Sequence, residues 1–194
     1  MMRSAILSFV ISMFLVSGAL AQSPTNGHVE AGAYLNSYFR FSYSLPKILH
    51  PVDTASLKLR PPSQANKEFL LFAAKESDKP FGVLILAERI PSFYRQRSDG
   101  LRESEDFLEQ VKKWWDPTGH PQILSQTHLT NVDGLTFDEL DYIHFREYRS
   151  AIVTPIGEFM IVFSCTAKSA SDLAIMTKSV LTTRRLNEPG EQSK

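Results

Sequence analysis

The sequence has a single cysteine, Cys165, among its 194 residues. One thiol cannot form the internal disulfide framework that many small exported proteins use, so the core must supply the stability. Strand alternation places Cys165 on the same face as Phe159, Ile161 and Phe163, which predicts a buried thiol. Because a buried thiol has a raised pKa and little reactivity, we interpret Cys165 as inert rather than as a nucleophile or an intermolecular bridge.

Glycine is also scarce, and an excess of charge of either sign is absent. The nine glycines are too dispersed for a phosphate-binding loop, a dinucleotide fingerprint or a hydrolase elbow, which argues against the common cofactor enzymes. We therefore predict no cofactor. Lysine and arginine total 21, as do aspartate and glutamate. Because the chain has no net positive charge to attract a polyanion, we do not expect nucleic acid or an anionic membrane surface as a partner.

Long apolar runs are confined to the N-terminus. Arg3 precedes an apolar stretch at 5–16, and small residues follow at Ala19 and Ala21, which is the order of a cleavable signal peptide. The stretch is shorter than the roughly 20 residues that span a bilayer. We therefore expect cleavage after Ala21, export to the periplasm or the extracellular medium, and no membrane span in the mature protein.

The rest of the chain has the length and composition of one globular domain, with 43% hydrophobic and 22% charged residues. We expect a signal peptide at 1–21, a flexible leader at 22–33, a single domain at 34–186 and a disordered tail at 187–194.

Alternating apolar and polar residues predict a succession of β-strands. The predicted strands cover 38–45, 68–75, 81–90, 123–130, 135–142, 145–154 and 158–166. An apolar stripe at 101–115 predicts an amphipathic helix, and a second helix is expected at 170–183 with Ser169 and Asp172 as its capping box. At most a short helix is expected within 46–66. The short turns predict an α+β fold, an antiparallel β-sheet flanked by helices.

Two stretches of sequence resemble the PsbP-like family. The run Tyr34-Leu35-Asn36-Ser37-Tyr38-Phe39-Arg40-Phe41-Ser42-Tyr43-Ser44-Leu45-Pro46 is similar to the "Y-x-N-x-x-F-G-F-S-Y-x-x-P" first strand of exported PsbP-like domains, with Arg40 where glycine is commoner. The stretch from Tyr148 to Ala167 and the serine-rich helix start after it resemble that family's final hairpin and closing helix. The usual closing strand is replaced by 182–186.

The resemblance implies a PsbP-like α/β/α sandwich. Members of that family include a photosystem II extrinsic subunit, a nuclear GTPase-binding factor and many uncharacterised exported bacterial proteins. Most are accessory or binding proteins rather than enzymes, and the resemblance assigns no site residue to this chain.

The histidines and carboxylates show no metal-binding signature. The five histidines lie far apart, without the spacing that places two ligands on one helical face. Asp138, Asp141 and His144 are the best set that a fold could bring together. Asp138 and Asp141 point to opposite faces of a strand, however, so we predict no metal site. The run 138–141 could supply paired carboxylates for acid–base chemistry, but a solvated face or ion pairs with arginine are the more ordinary outcome.

The segment 89–115 concentrates the residue types that are common in binding hot spots. The predicted partner contacts are Tyr94, Arg95, Arg97, Trp114 and Trp115. The alternatives are core packing for the tryptophans and a solvated loop for the arginines. We predict no catalytic residue and expect an exported, non-catalytic binding or accessory domain of the cell envelope, with a protein partner or an unknown small ligand. The alternative is an envelope enzyme or small-ligand carrier whose site is built from dispersed residues.

Overall fold

A computed structural model describes residues 23–57, 68–77, 81–90, 103–114 and 120–186. The strands in these residues are β1 (Gly27–Glu30), β2 (Ala33–Asn36), β3 (Phe41–Ser44), β4 (Leu49–Pro51), β5 (Glu68–Glu76), β6 (Gly82–Arg89), β7 (Gln122–Val132), β8 (Leu135–His144), β9 (Glu147–Ile156), β10 (Phe159–Ala167) and β11 (Arg184–Arg185). The helices are α1 (Glu103–Trp114) and α2 (Ala170–Val180), with a 3-10 turn at Thr54–Ser56.

The strands form two antiparallel sheets. The larger sheet has seven strands in the order β4-β5-β6-β10-β9-β8-β7, and the smaller has four in the order β1-β2-β3-β11. No helix in the described residues is long and apolar enough to cross a membrane. With eleven strands and two helices in the described residues, the fold is mostly β, and its helices are less prominent than the sequence predicted.

The large sheet has a buried core on each face. On one face, Phe163 and Cys165 of β10 pack with Tyr43 of the small sheet and with the apolar stripe of α2. On the other face, Met160 of β10 packs with Leu108 of α1. The small sheet thus supplies part of the cover that the sequence assigned to helices. The sequence predicted only one strand in this region, at 38–45, and did not indicate that it belongs to a second sheet.

Asn36 organises the start of the small sheet. Its fully buried side chain donates from Nδ2 to the Pro24 carbonyl and to Tyr34 Oη, both at 2.9 Å, and Oδ1 accepts from the Phe39 backbone N–H at 3.0 Å. Tyr34 Oη in turn donates to the Leu71 carbonyl at 3.1 Å. Since Leu71 lies in β5, this chain of hydrogen bonds joins the two sheets.

Three local predictions differ from the structure. The leader predicted at 22–33 contributes β1, which pairs with β2. The side chains of β1 are largely exposed, so its sequence has no apolar alternation that would predict a strand. The predicted strand at 38–45 is shortened by a turn in which Arg40 has φ 55, the left-handed region that favours the glycine of the family pattern. Arg184–Arg185, which were expected to replace a closing strand, form β11 beside β3.

The longer elements are confirmed. β5 pairs with β6, and β9 pairs with β10, as expected of consecutive strands joined by short turns. α2 begins where Ser169 Oγ accepts from the Asp172 backbone N–H at 3.2 Å. The region 46–66 contains the short strand β4 in addition to a helical turn, and a three-residue strand is too brief to show a period.

Candidate functional site

The acidic run of β8 divides between the two faces of the large sheet, as strand alternation predicted. Asp138 lies on the α1 face and is only 3% exposed. Its Oδ2 accepts a hydrogen bond from Ser104 Oγ in the first turn of α1. A carboxylate is favourable at a helix N-terminus, so Asp138 anchors α1 to the sheet. The expectation of a solvated face is wrong for this residue.

Glu139 and Asp141 lie on the opposite face, surrounded by hydroxyl groups; we call them the carboxyl pair. Ser150 Oγ donates to Glu139 Oε1 at 3.3 Å, and Ser125 Oγ donates to Asp141 Oδ2 at 3.0 Å. In the part of the chain that the structure describes, buried Oδ1 of Asp141 has no hydrogen-bond partner. The pair therefore holds one acceptor that an added proton, a water molecule or a ligand would satisfy.

The electrostatic surroundings of the carboxyl pair favour a proton. Burial and then the negative charge of Asp141 raise the pKa of Glu139 from 4.5 to about 7, and hydrogen bonding with Asp141 adds to the rise. The hydroxyls of Ser150 and Thr127 lower the pKa, but by less. Glu139 is thus poised to gain or lose a proton near neutral pH.

Cys165 lies in the core on the same side of the sheet as the carboxyl pair. Its side chain is fully buried, and burial raises its pKa strongly, with further increases from the charges of Glu139 and Asp141. A neutral thiol is a poor nucleophile. The packing therefore agrees with the interpretation of Cys165 as an inert core residue.

The candidate metal ligands are not brought together. Asp138 and His144 are six residues apart on one strand, which separates them by about 20 Å, and Asp141 points to the other face. His144 instead contacts the ring of Phe145, with 4.0 Å between ring centroids. Among the described residues, no group of three or more His, Cys, Asp or Glu side chains could hold a metal ion.

Most of the predicted partner contacts lie outside the described residues. They are Tyr94, Arg95, Arg97 and Trp115, together with the side chain of Trp114, whose backbone ends α1. Arg89, at the start of that segment, is described. Its guanidinium lies 5.3 Å from the Phe159 ring centroid and 3.5 Å from Glu158 Oε1, so the fold holds it in place.

The structure also exposes a surface that the sequence analysis missed. Phe145, predicted as the first residue of a strand, lies with Arg146 in the turn between β8 and β9 and is 71% exposed. Ile123 and Leu124 of β7 are 49% and 46% exposed at the same end of the sheet, where Ile123 is paired with Tyr142 of β8. We call Phe145, Arg146, Ile123 and Leu124 the tip surface. The available signal was a break in alternation between His144 and Glu147.

Comparison with known proteins identifies the type of fold. The sequence matches no family model, and no curated protein matches it. Solved structures with a similar fold include the solution structure of cyanobacterial PsbP (CyanoP) from Synechocystis sp. PCC 6803, with a TM-score of 0.55 and 15% sequence identity. The similarity covers 82% of this chain and 96% of that one. At this identity the likeness concerns the fold alone, and it confirms that the chain has a PsbP-like fold.

Proposed function

We propose that the protein is an exported accessory domain of the cell envelope that acts by binding a protein partner. The observation that carries this proposal is the placement of reactive side chains within the described structure. Cys165 is sealed in the core, and Asp138 is used to anchor α1. Three of the seven exposed large hydrophobic side chains in the described residues, in contrast, lie at one end of the large sheet. This distribution is typical of a binding module rather than of an open catalytic site.

The PsbP-like fold supports the same proposal. The family that the motif at Tyr34–Pro46 resembles consists mostly of accessory or binding proteins, among them an extrinsic subunit of photosystem II. A fold does not choose a partner, so the partner has to be found by experiment. Export through the signal peptide at 1–21 is part of the proposal, and those residues lie outside the described structure.

The contact surface that we propose from the sequence is the segment 89–115. Its arginine and aromatic residues suit a protein surface that carries carboxylates and apolar pockets. The contacts that we assign to it remain Tyr94, Arg95, Arg97, Trp114 and Trp115.

The test is cross-linking of the tagged full-length protein in its native envelope, followed by purification and identification of the adducts. We expect a specific protein adduct that is lost in the Arg95→Ala/Arg97→Ala variant. The matched control is Lys168→Ala/Lys178→Ala, which removes two exposed cations elsewhere. Thermal unfolding of each variant separates lost binding from lost folding. The absence of any protein adduct above the untagged control would contradict the proposal.

The carboxyl pair favours a second candidate function, a small-ligand carrier or acid–base site. A carboxyl group whose pKa is about 7 is suited to proton transfer at neutral pH, and Asp141 Oδ1 could accept a ligand's hydrogen bond. Native mass spectrometry of the protein released from its envelope distinguishes the two functions. A bound small molecule that disappears in Glu139→Gln would favour the carrier, whereas protein adducts with no small molecule would favour the accessory domain.

A further inference from the structure

The turn between β8 and β9 departs from the other short hairpins of the molecule. Four two-residue turns lie in the described residues, at 31–32, 133–134, 145–146 and 157–158. Three of them contain a glycine with positive φ, namely Gly32, Gly134 and Gly157. The fourth consists of Phe145 and Arg146, with φ 51 and φ 65.

Such backbone angles strain a residue that carries a side chain. Two-residue hairpins with positive φ at both positions strongly favour sequences such as Asn-Gly or Asp-Gly, and Asp133–Gly134 meets that preference in the neighbouring hairpin. Phenylalanine and arginine are poor residues for left-handed backbone. The turn would therefore be more stable with other residues, and its sequence is not explained by folding.

Core packing does not explain the two side chains either. Phe145 is the most exposed of the seven exposed large hydrophobic residues in the described chain, and Arg146 is exposed as well. Strained backbone that displays a large aromatic side chain is a feature from which function can be inferred. The turn fixes the backbone that carries the ring, which lowers the entropic cost of ordering this segment on binding.

We propose that the Phe145–Arg146 turn is a docking anchor, in which Phe145 enters an apolar pocket of a protein partner and Arg146 pairs with carboxylates at the rim of that pocket. The inference rests on the proposed binding function and names a surface for it. Ile123 and Leu124, at the same end of the sheet, enlarge the apolar contact.

Local charges support an acidic partner. Glu147, the nearest acidic residue after the turn, already pairs with Arg149, whose Nε lies 3.1 Å from Glu147 Oε2. In the described residues Arg146 has no ion pair, so its charge is available to a partner. A tip that presents a cation beside an aromatic ring is complementary to an apolar pocket with an acidic rim.

A membrane surface fits these observations less well. The whole chain has 21 basic and 21 acidic residues, and the turn itself offers one cation. Stable membrane attachment needs a larger apolar insertion or a polybasic cluster. A rigid single aromatic anchor is better suited to a defined protein pocket.

The first experiment places the photoreactive residue p-benzoylphenylalanine at position 145 of the full-length protein in its native envelope. Matched probes go to position 95, in the segment proposed above, and to position 175, an exposed isoleucine of α2. We expect one discrete adduct with a different protein from position 145 and at least tenfold less from position 175. Adducts from position 95 with none from 145 would overturn this inference alone. No protein adduct from any position would overturn the proposed function as well.

The second experiment separates binding from folding through the variant Phe145→Asn/Arg146→Gly, which installs the favoured turn residues. We expect its thermal midpoint to rise by about 2–4 °C, because the turn strain is relieved. Its binding to the partner identified by cross-linking should fall at least tenfold, and Arg146→Glu should weaken binding by a similar factor without stabilising the fold. A variant that is folded and still binds the partner with unchanged affinity would refute the docking role.

Two further outcomes would also overturn the proposal. An adduct formed only with a second copy of this chain would make the turn a self-association site. Phe145-dependent sedimentation with vesicles of phosphatidylethanolamine and phosphatidylglycerol at 3:1, without a protein adduct, would make it a membrane contact.

Discussion

Glu139 should make the protein less stable as the pH rises through neutrality, and Glu139→Gln should remove that dependence. The folded protein raises the pKa of this carboxyl from 4.5 to about 7. Between these values the folded state holds a proton that the unfolded state has released. Stability is therefore highest below pH 4.5, falls as the pH rises to about 7, and changes no further above it as far as this group is concerned.

The size of the effect follows from the pKa difference. At about 1.4 kcal/mol per pH unit, the interval from 4.5 to about 7 sets a ceiling of about 3.5 kcal/mol on the loss of unfolding free energy. Glu139 is only partly buried, and water screens its charge, so we expect about 1–2 kcal/mol. Glutamine keeps the size and the hydrogen-bonding capacity of the side chain but carries no charge. The stability of the variant relative to the wild type should increase from about pH 4.5 upward and reach this amount at pH 8.

The assay is urea unfolding followed by circular dichroism at constant ionic strength from pH 5 to pH 8.5. Comparison at each pH cancels the contributions of the groups that both proteins share. Asp141→Asn removes the neighbouring negative charge and should shift the pH dependence to lower values. Glu30→Gln is the control: its side chain is 71% exposed and lies 3.6 Å from His28 Nε2, and so exposed a pair should change the stability little. A stability difference between wild type and Glu139→Gln that stays constant with pH would refute this account.

Three further predictions concern the core and the N-terminus. Asn36→Ala should lower the unfolding free energy by about 2–3 kcal/mol in urea titrations, because it leaves Tyr34 Oη and the Phe39 N–H with a lost partner; an unchanged midpoint would contradict this. Cys165 should react with a thiol reagent only after unfolding, and rapid labelling of the native protein would count against a sealed core. Intact mass of the extracted protein should correspond to a start at Gln22, and a retained Met1 would disprove cleavage.

Long periodic segments of the sequence were sufficient to predict their elements. The alternation from Phe159 to Cys165 identified a buried strand face, and the stripe of Leu173, Met176 and Val180 identified α2, because both patterns are repeated over several turns or pleats. The PsbP-like fold followed from a local motif whose residues have structural tasks. Asn36 joins the two sheets through Tyr34, and the turn at Arg40 needs left-handed backbone.

The features that the sequence did not reveal depend on pairing over distance. β1 is held by β2 and β11 is held by β3, and neither strand has a buried face to mark it. The carboxyl pair was recognised as a run of acids, but the raised pKa of Glu139 depends on burial beneath other elements and on the charge of Asp141, which outweigh the lowering by Ser150. Its hydroxyl partners come from β7 and β9, which no local pattern connects to Glu139.

The course of α1 connects the two surfaces that we propose for binding. The helix begins with Ser104 over Asp138, and near its end Lys112 Nζ donates to Gln126 Oε1 at 2.6 Å. In the sheet Asp138 lies opposite His128, and Gln126 lies opposite residue 140, so α1 advances toward the end of the sheet that carries Phe145. The C-terminal end of α1 is therefore directed to the same end of the sheet as the tip surface. A partner bound at that end of the sheet is therefore expected to contact both the tip surface and the end of α1.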